Sequence, residues 1–256
     1  MDSVPLLRDA MTSLNETLSR RDRAVRGLVL MALVLVASGL VHGGVWLFDG
    51  MAPLGGPVSW RKPIVFGLSS GITTFSVAWL VAHLGQSASR ARWVALYAVT
   101  MAIEIFLIDL QRWRGVGSHY NVATPFDALV FGAMGILICL SVAAVAVLGW
   151  RFSRAASVPE DQRAAGSAGV VLLLVGSFIG GWMASHGSMA GASGGGLWKL
   201  PHGLALHAIQ TLPVLGWWLQ RRGVNLGARR QIILLAAAAH GVLVVLGLAI
   251  AAAWGL

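Results

Sequence analysis

Residues 125–150 read PFDALVFGAMGILICLSVAAVAVLGW, and Asp127 is the only charged side chain among them. A helix needs about 20 mostly apolar residues to cross roughly 30 Å of hydrocarbon. This run supplies them and lacks the alternation of a barrel strand, so a spanning helix is the conformation that satisfies its backbone inside lipid. Working outward, comparable runs recur at Leu28 to Phe48, Ile64 to Leu84, Ala91 to Leu110, Ser167 to His186, Pro201 to Leu219 and Gln231 to Trp254. The sixth of the seven is the shortest and contains Pro213. The expected fold class is all-α, a polytopic membrane protein with a bundle of seven transmembrane helices over residues 27–256. Residues 1–26 form a separate amphipathic segment ahead of it.

Composition agrees. The 256 residues are 57% hydrophobic and only 11% charged, where a soluble domain carries about 25% charge. The same figures exclude a disordered chain, collagen and a coiled coil. One cysteine, Cys139, excludes a disulfide framework and zinc-finger spacing. Inside its apolar run it reads as packing.

The basic residues are unevenly placed. Of nineteen Lys and Arg, fourteen fall in the N-terminal segment and the second, fourth and sixth loops. By the positive-inside rule the N-terminus is cytoplasmic and the C-terminus external, as in a bacterial inner membrane. The cytoplasmic surface then attracts anionic lipids, and nucleic acid is not an expected partner. Leu7, Met11, Leu14 and Leu18 form one stripe ahead of the first span, which predicts an interfacial amphipathic helix. The apolar run comes too late and is too long for a cleavable signal. Most of the eleven tryptophans fall near span ends, as aromatic belts do.

Ionisable residues inside spans are costly and mark function by default. Here they gather in the outer half: His42, Glu104, Asp109, Asp127, His186, His202 and His207. Glu104 stands inside MAIEIFLIDL, so it needs an internal partner or is a candidate acid or base. Asp109 and Arg112 are three apart and are expected to pair on one helix face. Asp127 follows Pro125 in a first turn, where the helix dipole favours a carboxylate. His202, His207 and Gln210 lie within about 140° of arc and are expected to face one pocket. Four histidines precede a glycine (at 43, 187, 203 and 241), which predicts close approach of a helix or a flat cofactor at those glycines.

Absent motifs narrow the function. The only lysines are Lys62 and Lys199, both in outer loops, so no retinal Schiff base forms in the last span. No phosphate-binding loop or dinucleotide fingerprint occurs, and HxxxH, HExxH and CxxCH are missing. No inverted repeat is apparent, which argues against a secondary transporter.

The segments WRKPIVFGLS, EIFLIDLQRWRGVGSHYN and PHGLALHAIQTLP resemble those of a group of bacterial multi-pass membrane proteins. That group shares Trp-x-Lys-Pro, Arg-Gly-x-x-Ser-His-aromatic-Asn and His-x4-His-x2-Gln-x2-Pro. The resemblance implies shared positions at Trp60, Lys62, Pro63, Arg114, Gly115, Ser118, His119, Tyr120, Asn121, His202, His207, Gln210 and Pro213. No activity comes with it, and Gly194 to Leu200 departs from its more polar pattern.

The leading expectation is an outer-half His/Glu/Arg site that binds haem b or a transition metal and performs redox chemistry on a lipophilic substrate. His119, His186, His202 and His207 would hold the cofactor, with His186, His202 and His207 the metal ligands. Glu104 and Asp109 would carry protons, while Trp60, Lys62, Arg114, Asn121, Asp127 and Gln210 would contact substrate. One alternative is a metal-free enzyme such as an isoprenoid cyclase with Glu104 or Asp109 as its acid. Another is a transporter or sensor.

Overall fold

The computed structural model describes residues 22–186 and 195–254. Among these residues there are seven helices and no strand: α1 (Arg23–Phe48), α2 (Arg61–Ala82), α3 (Ala88–Trp113), α4 (Pro125–Ser153), α5 (Glu160–Ser185), α6 (Gly195–Arg221) and α7 (Leu226–Trp254). Six are long and apolar enough to cross a membrane, and α6 falls outside that set. Its Lys199, two histidines, Gln210 and two internal prolines dilute the apolar character. The amphipathic helix expected over residues 5–20 lies outside the described residues.

The helices overrun the apolar windows because their start signals are polar. The Asp22 carboxylate accepts from the Ala24 amide at 3.1 Å and opens α1. Ser87 caps α3 through the Arg90 amide at 3.1 Å, and Thr124 caps α4 through the Asp127 amide at 3.1 Å. The far ends close differently. After α3, Gly115 takes φ +74° while the Val116 amide reaches the Gln111 carbonyl at 3.1 Å and the Gly115 amide reaches Arg112 at 3.0 Å. This is a Schellman stop, and Gly223 repeats it after α6. The Arg-Gly pair at 114–115 is therefore first a helix terminus.

Two glycine-packed hairpins organise the bundle. A Cβ on Gly67 would come within 2.7 Å of the Gly39 amide nitrogen, and one on Gly71 within 2.9 Å of the Ala32 carbonyl, so α1 and α2 touch backbone to backbone. A Cβ on Gly169 would meet the Ile209 Cα at 2.7 Å, and one on Gly176 the Leu206 amide nitrogen at 2.8 Å, which does the same for α5 and α6. The main core is centred on α1 to α4, from Leu28 and Leu80 through Tyr97 and Ile108 to Met134 and Leu148, and extends to Val170 and Leu173 of α5 and Ile209 of α6. Smaller clusters join α5, α6 and α7 around Leu212 and Ile233 and around Ile179 and Val244. Outward faces stay apolar: Val34, Leu40, Leu129, Ile136, Phe178 and Leu235 are all more than 60% exposed. Such a surface suits hydrocarbon as its solvent.

Two expectations are corrected here. Gly43, Gly203 and Gly241 have open space where a Cβ would stand, so these three His-Gly pairs do not mark close contacts, and the fourth, at Gly187, lies outside the described residues. The close contacts fall on glycines that follow no histidine. Cys139 does not pack in the core but lies on an exposed face of α4.

One end of the bundle is tied by ion pairs. Arg90, 3% exposed, holds Asp22 through two bonds of 2.7 and 2.9 Å and also donates to the Val81 and Leu84 carbonyls. Arg229 holds Asp161 at 2.7 Å. These knots fix α1, α2 and α3, and α5 and α7, at the end opposite the polar groups described next.

Candidate functional site

The polar residues at the end of the bundle opposite those ion pairs resolve into separate groups rather than one pocket. The most extended runs along α2, where Lys62, Phe66, Ser69 and Thr73 follow at i, i+4, i+7 and i+11, within about 60° of arc. Each finds a partner from another element. Lys62 Nζ donates to Ser118 Oγ at 3.3 Å, and Ser118 Oγ lies 2.9 Å from His119 Nδ1. The Phe66 ring packs on the His119 ring at 5.8 Å. Ser69 Oγ stands 3.4 Å from His207 Nε2, His207 Nδ1 meets Gln210 Oε1 at 3.1 Å, and Gln210 Nε2 donates to Thr73 Oγ1 at 3.1 Å. The last three bonds close a polar loop between α2 and α6.

Protons can be assigned along this chain. Gln210 Oε1 only accepts, so His207 carries hydrogen at Nδ1 and accepts from Ser69 at Nε2. Ser118 accepts from the ammonium, which frees its own hydrogen for His119 Nδ1. Burial and the nearby Lys62 charge push His119 down to about 3, which keeps its ring uncharged. Tyr120, next to it, adopts φ +60°, a backbone setting rare for an aromatic residue. That turn sends its hydroxyl to the Met183 carbonyl on α5 at 3.1 Å and sets its ring 5.4 Å from Phe131. Arg61, Lys62 and Lys199 repel one another at the mouth. Among the described residues no carboxylate pairs with any of the three.

His202 does not join His207 and Gln210 in one pocket as expected. It turns to α5, where its Nδ1 donates to the Gly176 carbonyl at 2.7 Å and its ring fills the space a Gly180 side chain would need. His186 closes α5, bonded to the Trp182 carbonyl at 3.0 Å and stacked on the Trp182 ring at 4.5 Å. Asn121 accepts locally from the Ala123 amide at 3.1 Å. Among the described residues no three His, Cys, Asp or Glu side chains come together as a metal would require.

Two further groups are self-contained. Asp127, 2% exposed, accepts from Gln111 Nε2 at 3.0 Å, Arg114 Nη1 at 2.7 Å and Thr124 Oγ1 at 2.7 Å. Arg114 also donates to Gln111 Oε1 and lies over the Phe126 ring. The other group surrounds Trp60. Its Nε1 donates to Asp49 at 2.7 Å, Arg112 lies 3.7 Å above its ring, and Trp113 meets it edge-on at 5.1 Å. The pairing expected between Asp109 and Arg112 is therefore not made. Arg112 reaches Asp49 at 3.7 Å, whereas Asp109 accepts from Ser38 at 3.1 Å. His42 sits between them, donating from Nδ1 to the Ser38 carbonyl at 2.8 Å and accepting from Trp113 at 3.0 Å.

Glu104 stands apart from all of these. It is 4% exposed, and its Oε2 is buried with no hydrogen-bond partner among the described residues. Sequence reasoning found Glu104, Lys62, His119, His207 and Gln210 but missed Ser69 and Thr73. Their signal was present as the continuation of the Lys62 stripe along one face of α2. A shallow groove of about 460 Å³, lined by Glu160, Arg163, Ser167 and Arg230, holds none of the expected residues. Compared with family models, curated proteins and solved structures, the chain finds no match.

Proposed function

We propose that the α2 stripe and its partners form a binding surface for an anionic, lipophilic small molecule. The observation that carries this reading is the order of chemistry along α2. A cationic mouth at Arg61, Lys62 and Lys199, without counter-ions among the described residues, gives way to aromatic faces at Phe66 and His119, then to the His207–Gln210 pair. An anionic head would sit at the mouth and an apolar tail would follow the rings toward lipid. His207 and Gln210 would then hydrogen-bond or transfer protons to the reacting group. In this reading α6 is the sixth of seven spans and the N-terminus is cytoplasmic behind an interfacial helix. The stripe then opens to the outer leaflet of a bacterial inner membrane, and anionic lipids cover the basic cytoplasmic face.

A second reading rests on His202. Its Nδ1 proton is committed to the Gly176 carbonyl, which leaves Nε2 as a lone pair held in a fixed direction. Histidine ligands to metals are oriented this way, and a haem iron needs only one or two such ligands. Redox chemistry on a lipophilic substrate would follow from that.

One preparation tests both. The protein is purified in mild detergent, its visible spectrum is recorded oxidised and dithionite-reduced, and bound molecules are extracted for mass spectrometry. A co-purifying anionic amphiphile whose occupancy falls in Lys62→Gln and Lys199→Gln supports the first reading. Equal occupancy in the variants overturns it. A Soret band lost in His202→Ala supports the second reading, and a colourless protein overturns it.

A further inference from the structure

The buried face of α3 is polar along most of its length. Arg90, Tyr97, Thr100, Glu104 and Gln111 are each no more than 4% exposed. Tyr97, Glu104 and Gln111 repeat at seven-residue intervals, about 10 Å apart along the axis, so they share one stripe. The stripe points into the space among α2, α3 and α4: the Tyr97 hydroxyl meets Thr74 Oγ1 at 2.9 Å, and Thr100 Oγ1 meets Ser141 Oγ at 2.6 Å. Gln111 bonds Asp127 on α4. A partner from a neighbouring helix therefore answers the stripe below and above Glu104, while at Glu104 itself Oε2 has none.

A packing role does not account for that carboxyl. Leucine or methionine would fill the volume without bringing a polar group into the outer half of the bilayer. Nor does a neighbouring charge compensate it. On the elements packed against α3, the charged or titratable groups at this end are His42 on α1 and Asp49 at its C-cap, Arg61 and Lys62 on α2, and Asp127 on α4. Each is engaged elsewhere, with Trp113, Trp60, the Leu54 carbonyl, Ser118 and Arg114 respectively. On α3 itself Asp109 is held by Ser38 and Arg112 by Asp49.

We propose that Glu104 is a proton-exchange site reached along the buried polar face of α3. The step is a single transfer: the carboxylate takes a proton from water to become a carboxylic acid and returns it, with no other bond changed. The hydroxyls of Thr100, Ser141, Thr74 and Tyr97 can each donate and accept, so they form the inner approach. Gln111 and Asp127 mark the outer one.

The test uses the full chain reconstituted in lipid vesicles and read by infrared spectroscopy. The expected result is a carboxylic-acid carbonyl band that grows as the pH falls and shifts in deuterium oxide. It should be missing in Glu104→Gln and displaced but present in Glu104→Asp. A band that ignores pH, or that persists in Glu104→Gln, overturns the proposal. Labelling of the unsubstituted chain with dicyclohexylcarbodiimide keeps the question open to refutation if Glu104→Gln does not fold. Modification of Glu104 should fall about tenfold per pH unit above its titration midpoint, and a chain left unmodified at Glu104 at low pH contradicts the proposal. Neither readout depends on the α2 stripe, so each can fail without the binding reading failing.

Discussion

Asp127 and Glu104 are both buried carboxyls on facing helices, yet their surroundings are opposite. The Asp127 carboxylate receives three side-chain donors, and its amide donates to the Thr124 cap. The Oε2 of Glu104 receives none. A carboxylate with that many donors is held as part of the architecture, because removing it would strand the Gln111 amide and the Arg114 guanidinium. A carboxyl without them adds little to the fold. Burial alone does not distinguish the two; the count of donors does.

This contrast can be broken by measuring unfolding in detergent. Asp127→Ala should give the largest loss of the variants named here, since it leaves fully buried Gln111 without its acceptor, and Asp127→Asn should recover part of it. Gly67→Ala is the steric rival. It drives a methyl into the α1 backbone and should cost about 1–3 kcal/mol, whereas Gly43→Ala, facing open space, should cost nothing measurable. If Gly67→Ala exceeds Asp127→Ala, packing rather than polar pairing governs this end of the bundle.

A smaller effect should appear with pH. His119 is held at about 3 by burial and by Lys62, against about 6.5 in an unfolded chain. Between those values the unfolded state binds the extra proton, so stability rises with pH through that window and is complete above it. Melting temperature against pH should therefore be flatter in His119→Gln. Apart from the Gly43→Ala control, the smallest effect is expected at Glu104→Gln, within about 0.5 kcal/mol of the unsubstituted chain. A large loss there would mean that Glu104 has a structural partner and would erase the contrast with Asp127.

Much of this was legible in the sequence, for a simple reason. Apolar runs and cap residues act locally, so the helices and the isolation of Glu104 within MAIEIFLIDL could be read without knowing any neighbour. Partner choice could not. Arg112 lies one turn from Asp109, but Trp60 offers its ring face and Asp49 its carboxylate from other elements, and together they outcompete the local pair. His202 and His207 share a helix, yet the glycine groove of α5 takes one and the hydroxyls of α2 take the other. A helical wheel gives the direction in which a side chain leaves its own axis. Which helix stands there is decided by glycines scattered over four segments, and no single segment reveals their pairing.

The weakly apolar α6 has a consequence for how the chain reaches its membrane. A segment carrying Lys199, His202, His207 and Gln210 partitions poorly from the translocon on its own. Its glycine-lined contact with α5 and its hydrogen bond from His240 on α7 to the Leu204 carbonyl, at 2.7 Å, offer the compensation that lipid does not. In the seven-span reading, biogenesis should accordingly deliver α5, α6 and α7 as one cohort, with α6 leaving the translocon only once a neighbour is there to receive it.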